Sequence, residues 1–336
     1  MGYLFSHYFK PLLLFILIIC PFAVILVYRT DYAITLKGDT QKFESVVEID
    51  TKNEEKGSFS TIFVINMEHS TAFQNVLIND IETVESYKMA SYTTHISAIE
   101  SYNASKIQYY SSIETSIILA YTEAMKNDNS IKLDYQFYSY DVTYYDKDSN
   151  LRIGDRIIGV NDIDNSDIVS LAKALNSLSI GDNIKFIRNN NEIVKPFNGK
   201  YFSAYSRFNI NYDTITPKAK FHDNMIGGPS GGLLQSLSIY NRLTNEDLTH
   251  GLKIAGTGTI SLSGKVGAIG GIREKIPTAL DDNIDIFFCV KDNYDDALDA
   301  YNSLKNSSKM KLIKVETFYD CINYLKEGYK NDFPNL

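Results

Sequence analysis

Residues 226–243 read Ile-Gly-Gly-Pro-Ser-Gly-Gly-Leu-Leu-Gln-Ser-Leu-Ser-Ile-Tyr-Asn-Arg-Leu, and they constrain the fold more than any other stretch. Four glycines and a proline surround Ser230, so the backbone must turn sharply there. A helix follows at once, because Leu233, Leu237 and Tyr240 recur at i, i+4 and i+7. Pro229 suits a first helical turn, where its missing N–H costs nothing. A serine in this place can be a plain helix cap. It can also be a nucleophile beside free N–H groups and the positive end of a helix dipole, which would stabilise an oxyanion.

The remainder of the chain sets the bounds for choosing between these. Its 336 residues suffice for two or three domains, and 44% hydrophobic content is ordinary for a globular protein. A net charge of −8 argues against nucleic acid as a partner. The three cysteines, Cys20, Cys289 and Cys321, have no metal-ligand spacing. Cys289 lies in the apolar run Ile-Phe-Phe-Cys-Val and reads as a small buried hydrophobe, with pairing to Cys321 left open. The five histidines form no metal cluster, and no G-x-x-x-x-G-K-[ST] loop occurs. No metal, cofactor or nucleotide is therefore expected.

Residues 11–28 are uncharged and apolar, about the length that spans a bilayer core. The Arg-Thr-Asp-Tyr that follows is a poor cleavage site, so residues 1–30 read as a tail plus an uncleaved transmembrane anchor. The long globular remainder then lies outside the cell membrane. Residues 31–130 form a segment of strands and helix. Residues 43–49 and 58–65 read as strands with a turn at 53–57, and residues 70–126 as helical.

Residues 131–198 form a separate unit. Leu151-x-x-Gly154-Asp155-x-Ile157-x-x-Val160-Asn161 leads into a helix from about Ser166 to Leu178, then Gly181-Asp182 and a hairpin over 183–194. This pattern resembles a PDZ domain, a module that adds an extended peptide to a sheet edge. Tyr138-Ser-Tyr-Asp-Val142 departs from the Gly-Leu-Gly-Phe loop of that family, which argues against capture of free C-termini.

Residues 199–333 alternate strands (254–260, 285–290, 311–315) with helices (272–280, 294–304, 318–329), which indicates an α/β layer domain. Gly228-Pro-Ser-Gly-Gly232 also fits the nucleophile-elbow pattern, but His250 is the one histidine after Ser230, and it sits in a polar turn. That leaves a lysine, active as a base if desolvation lowers its pKa. The residues alone do not choose between Lys275, Lys253 and Lys265.

Gly228-Pro229-Ser230-x-Gly232 followed by Gly256-Thr257-Gly258-x-Ile260-x-Leu262-x-Gly264-x-Val266-x-x-Ile269-Gly270-Gly271-Ile272-x-Glu274-Lys275 is similar to the proteolytic domain of Lon over some 110 residues. The resemblance implies a serine endopeptidase with Ser230 as nucleophile and Lys275 as general base. Thr257 would hold the amine, and Gly228 and Gly231 would support the turn. Gly227 stands where Lon has an aspartate. The whole layout resembles the membrane-anchored, PDZ-containing Lon-like proteases of Gram-positive bacteria, including Glu54-Glu-Lys-Gly-Ser-Phe59 and Asn241-Arg-Leu-Thr244.

The expected fold class is thus an α/β (α+β) Lon-type proteolytic domain with a PDZ domain and one N-terminal transmembrane helix. Because residues 199–333 are short for such a domain, the PDZ unit is expected to be inserted into it, with strand 58–65 completing the sheet. The implied function is ATP-independent cleavage of peptide or protein substrates outside the cell, possible signalling peptides among them. The alternative is a peptide-binding membrane scaffold with a silent protease fold. Oligomer formation is left open.

Overall fold

The computed structural model describes every residue except 1, 52–54, 79, 80, 82, 83, 91, 92, 224, 225, 245, 305–309, 335 and 336, and gives the backbone alone for 2–8, 10 and 11. Asn53 and Glu54 of the expected turn lie outside the described residues. The chain opens with helix α1 (Gly2–Val27), strands β1 (Tyr32–Lys42), β2 (Val47–Ile49) and β3 (Ser58–Met67), helix α2 (Ala72–Ile78), β4 (Val84–Lys88) and the long helix α3 (Ala98–Met125). Then come β5 (Tyr135–Tyr145), β6 (Arg156–Val160), β7 (Ile163–Asp164), α4 (Ile168–Asn176), β8 (Asn183–Arg188), β9 (Asn191–Pro196) and β10 (Phe202–Ile210). The C-terminal part holds β11 (Ala219–Phe221), α5 (Gly232–Leu243), β12 (Lys253–Thr257), β13 (Thr259–Ile260), β14 (Val266–Gly267) and α6 (Ile272–Asp281). It ends with β15 (Ile286–Val290), α7 (Tyr294–Ser303), β16 (Lys311–Val315), α8 (Phe318–Asn323) and α9 (Tyr329–Asp332).

One six-stranded sheet runs β16-β15-β12-β3-β1-β4. Strands β16, β15, β12 and β3 are mutually parallel, and β15 is apolar along its whole length because both of its faces are covered. In β15 the alternation sorts Ile286, Phe288 and Val290 into one core, with Leu233, Leu234 and Leu237 of α5. Phe287 and Cys289 go to the other core, with Ile272, Ile276 and Ala279 of α6. The same sorting sends Phe59 and Ile254 to the α5 side and Ile62 and Ala255 to the α6 side. Cys321, on α8, lies in the α5-side core. Cys289 and Cys321 are therefore on opposite faces of the sheet, and both are free thiols.

The second sheet runs β10-β5-β6-β8-β9, with β7 added to β6. Its small core is Val142, Leu151, Ile157, Ile184 and Phe186. The β8–β9 hairpin turns through Asn189 and Asn190, both at positive φ (51° and 61°), as a tight right-twisting hairpin demands. This sheet continues past residue 198, because β10 pairs antiparallel with β5, Ala204 opposite Val142. Such pairing between segments distant in the chain carries no local sequence signal. The unit enters and leaves through adjacent strands. On either side of it in sequence, β3 and β12 are hydrogen-bonded neighbours, Lys253 opposite Ser58 and Gly256 opposite Thr61.

The stretch read as helical over 70–126 is instead α2, β4 and α3. Val84-Glu-Ser-Tyr-Lys88 becomes an edge strand on β1, Ser86 opposite Ile34. The true helix start is marked by a capping box: Ser97 accepts from the Glu100 N–H, and the Glu100 carboxylate accepts from the Ser97 N–H. Residues 11–27, expected as the core of an anchor, lie in helix α1. Among the described residues no helix is long and apolar enough to cross a membrane. From Leu12 on, the α1 side chains are exposed, Leu14, Leu17 and Ile18 among them.

α3 joins the two sheets. On one side Arg207 of β10 binds Glu114 through Nε (3.0 Å) and a terminal nitrogen (2.7 Å), and the same carboxylate accepts from the Phe208 N–H (2.8 Å). Arg207 also reaches Asp141 of β5 at 3.2 Å. These groups are nearly buried, so removing one partner strands the other. Glu114→Ala should cost about 3 kcal/mol in denaturant unfolding, while Glu114→Leu combined with Arg207→Met and Asp141→Asn, which leaves no buried charge unpaired, should recover most of that loss.

Candidate active site

The α5 N-terminus is built for close approach. Gly228 has φ +85°, a conformation that an L side chain resists, and its N–H donates to the Ser105 carbonyl (2.8 Å) on α3. A Cβ on Gly232 would meet Ile260 Cγ2 at 2.7 Å and Ser112 Oγ at 2.8 Å, so glycine lets α5 press against α3 and β13. The Ser230 carbonyl is held twice, by the Gly258 N–H (2.8 Å) and by the Thr257 hydroxyl (3.1 Å). The turn is thus pinned to the end of β12, and Ser230 Oγ points into a cleft of about 460 Å³. Val46, Ile62, Tyr109, Ile226, Gln235 and Lys275 also line that cleft.

Lys275 comes from the first turns of α6 and is 2% exposed. Its Nζ donates to the Ile62 carbonyl of β3 (2.8 Å), to Thr257 Oγ1 (3.2 Å) and to Ser230 Oγ (3.0 Å). Burial disfavours the ammonium and pulls its pKa down from the ordinary lysine range to about 7. A neutral amine has two N–H groups and one lone pair. Ile62 O and Thr257 Oγ1 take the two hydrogens, which aims the lone pair at the Ser230 hydroxyl. The Thr257 proton is already committed to the Ser230 carbonyl, so this oxygen is left to accept from the amine.

The N–H groups of Ser230 and Gly231 take no acceptor among the described residues. They stand at the start of α5, where the helix dipole adds positive potential, and so can receive an oxyanion. A Cβ on Gly231 would fall 3.0 Å from Thr61 Cγ2, which keeps this side of the cleft narrow.

Ser230, Lys275 and Thr257 are therefore in mutual contact, and Gly228 and Gly231 shape the turn. The other bases left open by the sequence are elsewhere. Lys253 lies on the surface with Nζ donating to the Asp282 carbonyl (3.3 Å), and Lys265 is exposed. His250 Nε2–H donates to the Leu325 carbonyl (2.7 Å), and its ring stacks on Tyr329 at 3.9 Å. Among the described residues no group of His, Cys, Asp and Glu could hold a metal ion.

Three contributors carry no sequence motif. Ile62 acts through its backbone carbonyl, which any residue would supply. Ser112 and Ser116, one turn apart on α3, hold the carboxamide of Gln235 at 3.1 and 3.4 Å, and Ser116 also donates to the Gly232 carbonyl (3.0 Å). The i, i+4 spacing of two buried serines is the one signal that could have found them.

Burying the amine has a measurable cost. Unfolded Lys275 titrates near pKa ~10.4, whereas in the fold it does so at about 7. Between these values the unfolded chain binds the extra proton, so folding stability rises with pH across that window. Below about pH 7 the cost of the buried charge is fully present. Lys275→Met should raise stability at neutral pH by about 1–3 kcal/mol, some of the gain being offset by the unpaired Ile62 carbonyl. It should also flatten the rise between pH 7 and 10 seen in thermal unfolding.

Residues 223–326 match the family described as Lon protease (S16) C-terminal proteolytic domain. The chain is 32% identical over 122 residues to the Lon protease of Mesomycoplasma hyopneumoniae, covering 35% of this chain and 14% of that protein. It is 31% identical over 126 residues to the Lon protease of Campylobacter jejuni, covering 36% and 14%. With that of Campylobacter concisus it shares 36% identity over 96 residues, 28% of this chain and 11% of the relative. The chain thus spans a small part of the relatives it matches, and β3 with Ile62 lies outside the family match. The similarity supports reading residues 223–326 as a serine-peptidase domain of the Lon type.

Proposed function

We propose that the protein is a serine endopeptidase in which Ser230 is the nucleophile and Lys275 the general base. The observation that carries this is the 3.0 Å contact between Lys275 Nζ and Ser230 Oγ, with the amine pKa lowered to about 7 by burial. The neutral amine takes the Ser230 proton as Oγ attacks the scissile carbonyl carbon. The N–H groups of Ser230 and Gly231 receive the developing oxyanion. The C–N bond then breaks, the lysine ammonium returns its proton to the leaving amine, and an ester on Ser230 remains. Water, deprotonated by the same amine, hydrolyses that ester and restores the hydroxyl.

The finer reading is that the enzyme works without nucleotide, is anchored by α1 and cuts peptides or unfolded segments outside the cell, secreted signals among them. Its supports are the missing phosphate-binding loop motif, the uncharged run at residues 11–28 and the exposed apolar side chains of α1. The β5–β10 unit reads as a PDZ-type peptide-binding module, supported by its antiparallel sheet with one helix and a hairpin. Peptide or protein is the proposed partner, with an oligomer open to test.

Three outcomes are expected for the full chain acting on unstructured peptides. Ser230→Ala should lower kcat/KM by about three orders of magnitude or more, with the unfolding midpoint kept, because the turn is pinned through the Ser230 carbonyl rather than its hydroxyl. Cleavage near the wild-type rate would instead favour the scaffold reading. Activity should rise as pH passes about 7 and level off on the alkaline side, since the neutral amine is the active form. Lys275→Arg should be as inactive as Lys275→Ala across that range, because a guanidinium keeps its proton.

A further inference from the structure

We infer that α2 lies in the membrane interface beside α1 and fixes how the globular body sits on the lipid surface. This rests on the anchor proposed above and adds a second point of contact to it.

Polar residues of a short surface helix ordinarily face water and its apolar residues face the core. Here the order is reversed. Gln74 accepts from the Thr71 N–H (2.7 Å). Asn75 donates to Thr30 Oγ1 and to the Thr71 carbonyl (3.1 Å each) and accepts from Ser70 Oγ (3.1 Å). Both polar side chains are half-buried and spent on bonds within the protein, Gln74 in the cap of its own helix and Asn75 on the segment that follows α1. Val76 and Leu77 point out, 73% and 58% exposed.

The position of α2 says what covers them. The segment before it is tied to the end of α1: the Ala72 N–H donates to the Tyr28 carbonyl (3.1 Å), and the Thr30 N–H to the Ser70 carbonyl (2.9 Å). The Phe73 ring meets the Phe22 ring edge-on at 6.1 Å. Phe22 lies five residues inside the end of α1, about 7.5 Å along the helix at 1.5 Å per residue. An interfacial helix buries its apolar face about 5–10 Å into the boundary between headgroups and acyl chains. Whatever apolar medium surrounds α1 at Phe22 therefore also reaches α2. Tyr28 and Tyr32, both exposed, stand where α1 leaves that medium, as interfacial aromatic residues do. With α1 and α2 both immersed, the body cannot swivel freely about the anchor.

The protein has no tryptophan, so a single one reports its own surroundings. Leu77→Trp, Leu17→Trp on α1 and Ile180→Trp in the second sheet unit, each in the full chain, would be placed in phosphatidylcholine vesicles with and without brominated acyl chains. Leu17→Trp and Leu77→Trp should each lose about half or more of their emission to the brominated lipid, as expected for side chains at or below the headgroup boundary. Ile180→Trp should lose none. If Leu17→Trp is quenched while Leu77→Trp behaves like Ile180→Trp, the inference fails and the anchor stands. A blue-shifted but unquenched Leu77→Trp would place α2 against protein, and also overturns it. An unquenched Leu17→Trp removes the anchor, and the inference with it.

Discussion

An amine buried without a counter-ion is the constraint on which this structure is organised. A free lysine loses little by staying in water, so the fold must enclose Lys275 and still satisfy its hydrogens. Three elements do so at once: β3 offers the Ile62 carbonyl, β12 ends in the Thr257 hydroxyl, and α5 starts beside the Ser230 hydroxyl. Ile272 and Ile276, on α6 itself, bury the helix against Ile62, Ala255 and Phe287 and keep water out. The same burial that depresses the pKa also destabilises the fold near neutral pH. The site therefore needs a well-packed sheet beneath it, and the six-stranded layer with apolar cores on both faces supplies that.

α3 takes part in both halves of the molecule. Ser105, Ser112 and Ser116 touch the turn and first residues of α5, while Ser111 and Glu114 bind β10. A helix that contacts both is a rigid spacer, and it sets the distance between the second sheet and the nucleophile. The polar contacts on its two sides differ in kind. Toward α5 they are neutral, the hydroxyls of Ser112 and Ser116 and the backbone carbonyl of Ser105, and they let backbones come close. Toward β10 they include a bidentate ion pair, whose geometry fixes register as well as attraction.

The nucleophile turn was legible in the sequence because its requirements are local. Gly228 and Gly232 are needed for a left-handed turn and for close helix contact, and both needs fall within five residues of Ser230. Lys275 was legible only by resemblance. Nothing in its neighbours distinguishes it from Lys253 or Lys265 until β3 and β12 close around it. The alternation of β15 and the helices that follow could be read directly, since burial on both faces leaves an unbroken apolar run. β4 was read as helix because an exposed edge strand has no inward face to impose a period of two. β10 falls past the boundary expected at residue 198, because its partner β5 lies some 60 residues away and their pairing leaves no local signal.

The lysine amine and the carbonyl that receives it are 213 positions apart in the chain. As the protein is synthesised, Ile62 emerges early, and the second sheet can fold behind it from contacts of its own. The pocket for the amine cannot close until β12 and α6 have also emerged and settled against β3. Long-range pairing of this kind is slow to form, because the loop must close before its contacts reward it. Until then a growing chain holds Ser230 without the amine that packs beside it in the finished fold.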